Sequence, residues 1–167
     1  MKLRHLFPFA AVAALSACAD AQIEQPPIAY NATRALHERG TTTFTFRAFS
    51  KESGSRKEIS GVPCKLQGQG FNSAFTTPAV VIAPEIGAKA QVASVTCSYN
   101  EEAKTKVLEP YNKTVADINA NANAAAVNHG LLGALVGSIA AGVQTSRRDP
   151  SKDIYAYHSS SVVFADN

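Results

Sequence analysis

Two short segments, each carrying a cysteine, most narrowly constrain how this chain can fold. Over residues 61–67 apolar and polar residues alternate, and Cys64 falls in the apolar phase. Residues 92–99 alternate in the same way, and Cys97 falls in their apolar phase. A period of two residues is typical of a β-strand with one buried face. We therefore predict two strands whose cysteines face the core.

Other segments have the composition of strands separated by turns. Residues 41–50 are rich in Thr and Phe, and Phe49 is out of phase with Phe44, Phe46 and Ala48, which predicts a bulge. Residues 78–83 form a continuous apolar run, typical of a strand buried on both faces. Residues 111–118 can form a further strand, and the Ala- and Asn-rich run over 119–128 suits a loop. Short strands at regular spacing predict a mainly β fold, a small antiparallel β-sandwich.

The first twenty residues have the pattern of an export signal. Lys2 and Arg4 precede a mainly apolar run over residues 6–15, which would span only ~15 Å as a helix, about half of a hydrocarbon core. The run LSAC at residues 15–18 resembles the lipobox of bacterial lipoproteins, which implies cleavage before Cys18 and lipid on its thiol. The alternative is an ordinary cleavage site that happens to precede a cysteine.

The lipobox divides the chain into three predicted parts: a signal peptide over residues 1–17, a lipidated tether over 18–27, and one domain over 28–167. Loss of the signal lowers the formal charge from +3 to +1, so the composition gives no support for a nucleic-acid partner. Acyl chains contribute about 0.8 kcal/mol per buried CH₂, so two or three chains anchor a protein firmly. Ala19 after the cysteine favours the outer membrane as the destination.

Lipidation of Cys18 would leave Cys64 and Cys97 as a pair in a compartment where disulfides persist. We predict a structural disulfide between them that crosses the core. A redox role is less favoured because there is no CxxC motif, and a zinc site is less favoured because no histidine is near either cysteine in the sequence.

A glycine-rich segment lies near the C-terminus. Gly133, Gly137 and Ala141 recur every four residues, so a helix over about 128–143 would present them as one stripe of small side chains. We predict that this helix packs on the sandwich or in a tight helix pair. The alternative is a zipper that inserts into the membrane or self-associates.

Three segments combine motifs in a recurring order: VPCKLQGQGF at 62–71, TTPAVVI at 76–82 and ASVTC at 93–97. They resemble the PEGA-like β modules of Gram-negative envelope lipoproteins, in which a cysteine-bearing strand, a glycine turn, a Thr-Pro and a Val-rich strand precede a second cysteine. The glycine-rich NHGLLGALVG at 128–137 and the Tyr- and Val-rich C-terminal segment extend the resemblance. It implies placement in the cell envelope.

Catalytic motifs are not evident in the sequence. His37, His129 and His158 are too dispersed for a local metal motif, and the serines at 159–161 lack a Gly-x-Ser-x-Gly elbow. Gly68 and Gly70 fit a hairpin turn better than a phosphate loop. We predict no catalytic, metal-binding or cofactor-binding residues.

These observations predict a non-enzymatic lipoprotein, anchored to the outer membrane by its lipid and facing the periplasm, that serves as a structural or binding module. Its expected partner is another envelope protein or a glycan. One alternative is a lipoprotein that associates with membranes or oligomerises through the glycine-rich segment. A second is an envelope hydrolase.

Overall fold

The long strand β2 organises a mainly β fold in the computed structural model. The structure describes residues 22–52 and 54–165. For residues 52, 125, 126 and 128–136 it describes the backbone alone. The predicted signal peptide and Cys18 lie outside the described residues. The strands are β1 (Asn31–Ala32), β2 (Gly40–Glu52), β3 (Ser55–Ile59), β4 (Pro63–Gly68), β5 (Phe71–Thr76), β6 (Ala79–Glu85), β7 (Ala93–Tyr99), β8 (Glu102–Leu108), β9 (Pro110–Asn112), β10 (Tyr155–Tyr157) and β11 (Ser160–Phe164). A helical segment, α1 (Lys113–Arg147), lies between β9 and β10, and single 3₁₀ turns span Gly87–Lys89 and Pro150–Lys152.

One antiparallel sheet has the order β1-β5-β4-β7-β8. Cys64 in β4 lies directly opposite Cys97 in β7, and the two form a disulfide with Cα atoms 4.0 Å apart. The predicted pairing is therefore confirmed. The bridge does not cross the core as predicted, because the two cysteines are neighbours in the same sheet. It lies on the buried face of that sheet.

The second sheet is built on β2. Its first half pairs with β6 and its second half with β3, both antiparallel, while β11 pairs with it in parallel. The register runs without interruption through Phe49, so the predicted bulge is wrong. Phe49 is out of phase because it faces outward, where its ring lies 4.4 Å from the Arg56 guanidinium carbon and shields its apolar surface.

The core lies between the two sheets. Alternation along β2, β4 and β7 directs one side of each strand inward, as predicted, and both cysteines lie among the buried residues. Phe46 and Phe75 meet edge to face with ring centres 6.0 Å apart. The largest fully buried side chains of the core are Phe46, Phe71, Phe164, Leu66, Val62, Val81, Val95 and Cys97.

The chain joins the β domain from residue 25 onward. Ile28 donates its N–H to the Val80 carbonyl and accepts from the N–H of Ile82, so it adds a parallel bridge at the edge of β6. Just before it, the Gln25 amide donates to the carbonyls of Thr76 and Pro78, at 2.7 and 2.6 Å. The end of the predicted tether is therefore held against the domain.

The helical segment is longer than predicted. It begins at Lys113, where the sequence indicated a strand over 111–118 and a loop up to residue 128. Asn112 caps it, because its side-chain oxygen accepts the N–H of Val115 at 3.0 Å and replaces a partner missing in the first turn. The strand prediction holds only for Tyr111 and Asn112, which belong to β9.

α1 is not one straight rod. A β-carbon at Gly137 would lie 2.7 Å from the carbonyl oxygen of Ala122, whereas residues fifteen apart on a straight helix are separated by about 22 Å. The helical path therefore reverses between these residues, and the two arms form a tight pair. We call residues 113–147 the helical hairpin.

Candidate functional site at the base of the helical hairpin

Asp153 holds both ends of the helical hairpin. The Asn112 amide, just before the first arm, donates to its Oδ2 at 2.6 Å. The Arg148 guanidinium, just after the second arm, donates from Nε to both carboxylate oxygens at 3.1 Å. Asp153 is only 3% exposed, so the charge is satisfied within the protein.

Backbone bonds fix the first arm at the same place. Lys113 donates its N–H to the Ile154 carbonyl at 2.8 Å, and the N–H of Ile154 donates to the Thr114 hydroxyl at 2.9 Å. The entry to the first arm and the segment before β10 thus form one joint. Together with Asp153, they fix the direction in which the hairpin leaves the β domain.

A second buried carboxylate lies behind this joint. The Arg39 guanidinium forms two parallel hydrogen bonds to Glu85, each 3.0 Å long. The Oε1 atom of Glu85 also accepts the N–H groups of Gly87, at 2.8 Å, and Tyr155, at 3.1 Å. Glu85 is 5% exposed, and these donors satisfy it in place of water.

Arg39 connects the Glu85 carboxylate to the backbone at Asp153. Besides binding Glu85, it donates to the Asp153 carbonyl at 2.6 Å and to the Ser151 carbonyl. One network therefore joins the starts of β2 and β10, the end of β6 and the base of the hairpin. We call Arg39, Glu85, Asn112, Arg148 and Asp153 the base cluster.

Electrostatics keep both carboxylates of the base cluster ionised. Burial alone would raise the pKa of Glu85, but the Arg39 guanidinium and the two N–H groups outweigh it and hold the pKa below its ordinary value. The pKa of Asp153 is also lowered, first by the Asn112 hydrogen bond, against the opposing effect of burial, with a further contribution from Arg148. The contacts that hold the hairpin are thus made by the charged forms.

The arms of the hairpin present apolar side chains to solvent. Val127 is 85% exposed, Ile139 64% and Val143 42%. The sequence contains no Asp, Glu, Lys or Arg from residue 118 to 146. Among the described residues, no helix is both long and apolar enough to cross a membrane.

The predicted stripe of small residues is engaged within the chain at Gly137. This glycine is buried against the backbone of Ala122, so it serves the pairing of the two arms. Ala141, one turn further along, is half-buried. The surroundings of Gly133 and His129 lie outside the described part of the structure.

The remaining candidate residues are not assembled into a site. His158 stacks on Tyr111 with ring centres 3.7 Å apart, and Ser159 accepts the backbone N–H of Thr45. Among the described contacts, none joins His158 to both a serine and a carboxylate. No group of three His, Cys, Asp or Glu side chains within residues 22–52 and 54–165 is placed to hold a metal ion.

The sequence alone does not reveal the base cluster. Arg39 and Glu85 are single charged residues separated by 46 positions, and Asn112 and Asp153 by 41. No local motif links such residues, and only the fold brings them together. The one local signal was Asn112, since an Asn before a helix favours an N-cap.

No family model, curated protein or solved structure was found to match the chain.

Proposed function

We propose that this chain is a lipid-anchored module of the Gram-negative cell envelope that acts by binding another envelope component, a protein or a glycan. In this proposal Cys18 carries the lipid, and the β domain faces the periplasm and presents the helical hairpin to the partner. The PEGA-like resemblance and the lipobox support the envelope placement. The Cys64–Cys97 disulfide supports it as well, because disulfides persist in oxidising compartments.

The observation that carries the binding role is the fixed presentation of an apolar hairpin. Asp153 holds both ends of the helical hairpin, while Val127 and Ile139 are largely exposed on its arms. Exposed apolar side chains that are held in a fixed orientation suit recognition, since little conformational entropy is lost on binding.

Site-specific photo-cross-linking in intact envelopes tests this role. A photoreactive residue at position 127 or 139 should form an adduct with one envelope component. Val107 in β8 is the matched control, since it is a 55% exposed valine outside the hairpin. Absence of adducts from both hairpin positions, or the same adducts from position 107, would contradict the proposal.

A second candidate function is membrane association or oligomerisation through the hairpin. The exposed Val127, Ile139 and Val143 and the uncharged sequence from 118 to 146 favour it. The same cross-linking separates the two functions: adducts with lipid, or with a second copy of the chain, indicate the second. Ile139→Ser is the variant that tests this second function, because Ile139 is 64% exposed. A change at Gly137 is less suitable, since it would also break the pairing of the arms.

A further inference from the structure

A groove of about 420 Å³ lies on the β domain outside the base cluster. The loop after β1 forms one side, with Arg34, Leu36 and His37. The other side is formed by Gln69 in the turn between β4 and β5 and by Lys89 and Gln91 between β6 and β7. Its volume is within the range of small-ligand sites.

Two cations in this groove have no carboxylate partner in the described part of the chain. Among the described side chains, neither Arg34 nor Lys89 forms an ion pair, whereas Arg39 pairs with Glu85 and Arg148 with Asp153. The acidic residue nearest in the loop, Glu38, does not line the groove and accepts the Tyr30 hydroxyl instead. Two uncompensated positive charges favour an anionic ligand.

The fold positions Arg34 at this place. Its side chain lies over Gly70, where a β-carbon would come within 2.5 Å of the Arg34 Nε and 2.9 Å of a Leu36 methyl carbon. The N–H of Thr33 donates to the Gly70 carbonyl at 2.8 Å, which ties the loop to the turn. Gly70 also has a φ of +93°, in the left-handed region that favours glycine.

The other lining groups suit a sugar. Leu36 and Ile86 are half-buried and give the groove an apolar part, against which the C–H face of a pyranose ring can pack. The exposed amides of Gln69 and Gln91 offer both donors and acceptors for ring hydroxyls. An apolar surface combined with a few polar groups is typical of a small-ligand site.

We propose that this groove binds an acidic saccharide, whose carboxylate or phosphate lies between Arg34 and Lys89. The inference goes beyond the proposed function, because the groove lies on the β domain and not on the helical hairpin. The anionic group accepts from the guanidinium and the ammonium, and the sugar ring contacts Leu36 and Ile86.

Chemical-shift titration of the disulfide-bonded, isotope-labelled full chain tests the groove. The probes are glucuronic acid, glucose 6-phosphate, glucose and inorganic phosphate. Either acidic sugar should shift the backbone amides of Gly70 and Lys89 in a saturable manner. Glucose and inorganic phosphate should bind at least tenfold more weakly, because each lacks one half of the recognised chemistry. Preference for glucuronic acid or for glucose 6-phosphate identifies the anionic group as a carboxylate or a phosphate.

Charge-removing variants locate the site. Arg34→Gln and Lys89→Gln should each weaken binding of the preferred acidic sugar about tenfold, the usual effect of losing one hydrogen bond to a charged group. Lys106→Gln is the matched control, since Lys106 is exposed on β8 and does not line this groove. Each variant should keep the other amide resonances unchanged, which shows that it remains folded.

Three results would overturn the inference: equal binding of glucose, equal binding of inorganic phosphate, or equal weakening by Lys106→Gln. They are distinguishable from failure of the proposed function. If only the proposed function fails, the hairpin positions give no adducts but the sugar titration is still saturable. If only the groove proposal fails, the hairpin adducts form but no sugar binds.

Discussion

The carbonyl oxygen of Ala122 occupies the space that a β-carbon at Gly137 would need, although the two residues are fifteen positions apart in the same helical segment. Only a residue without a β-carbon permits so close an approach of two helical arms. The neighbouring atoms are backbone atoms, so they cannot move aside as a flexible side chain would. The helical hairpin therefore depends on glycine at this position.

Replacement of Gly137 should open the hairpin. Gly137→Ala places a methyl group 2.7 Å from the Ala122 oxygen, and the arms must separate or lose their packing at a cost of roughly 1–3 kcal/mol. Amide hydrogen exchange along residues 113–124 and 137–147 measures the loss of protection. The core amides of β4 and β7 should remain protected.

Gly142→Ala is the control for this prediction. A β-carbon at Gly142 would have no neighbour within 4 Å, so the change should strengthen the helix by up to about 1 kcal/mol through its higher helix propensity. Equal loss of protection in the two variants would contradict the assigned contact.

The last residue of β4, Gly68, should also tolerate no side chain. A β-carbon at Gly68 would lie 2.2 Å from ring atoms of Phe71, which is 2% exposed in the core. Gly68→Ala must displace that ring, so we expect a loss of about 2–4 kcal/mol in the free energy of unfolding. Gly40→Ala, where nothing lies within 4 Å, should change it by less than about 1 kcal/mol. Urea denaturation compares the two, and similar losses would refute the packing argument.

Removal of the disulfide should lower the stability of the β domain. The bridge joins residues 33 positions apart. In the chain-entropy model, the entropy that the unfolded chain loses stabilises the folded state by about 3–4 kcal/mol. The double variant Cys64→Ala, Cys97→Ala should therefore unfold at lower urea concentration than the oxidised chain. Adding a reductant should destabilise the original protein but leave the double variant unchanged. If the reductant also destabilised the double variant, the loss of stability could not be attributed to the disulfide.

Acid should loosen the base cluster before it affects the rest of the core. The pKa values of Glu85 and Asp153 are lowered in the folded protein, so their contribution to stability is fully present above the ordinary carboxyl pKa. It is lost as the pH falls from about 4.5 through the lowered values, because the unfolded chain binds protons first.

The variant Glu85→Gln should flatten part of this pH dependence. Thermal unfolding between pH 3 and pH 7 measures it, and Glu109→Gln provides an exposed control at the end of β8. If the two variants show the same slope against pH, the base cluster is not the source of the acid sensitivity.

The two-residue periodicity made the sheets predictable. Cys64 and Cys97 were assigned to the buried phase of two strands, and the structure places them opposite each other in neighbouring strands. Their place in one sheet was not predictable, because periodicity identifies the buried face of a strand but not its neighbour. The predicted bulge at Phe49 is wrong, because an aromatic residue that is out of phase can also lie on the outer face, where a cation shields it.

The helical hairpin was less predictable. The Asn residues between 119 and 128 have low helix propensity, and the sequence therefore indicated a loop. Pairing of the arms at Gly137 and fixation of the ends at Asp153 are tertiary effects that outweigh this propensity. The base cluster follows the same rule, since Arg39, Glu85 and Asn112 are far from Asp153 in the sequence and only the fold brings them near it.

Because Asn112 and Arg148 bind the same carboxylate, the two points where the polypeptide leaves and re-enters the sandwich coincide. The 35 residues of the helical hairpin thus form an insertion between β9 and the 3₁₀ turn before β10, at a point where a short bridge would connect the remaining scaffold. Because the hairpin is attached outside the disulfide-linked sheet, a change in its length can leave that sheet unaltered.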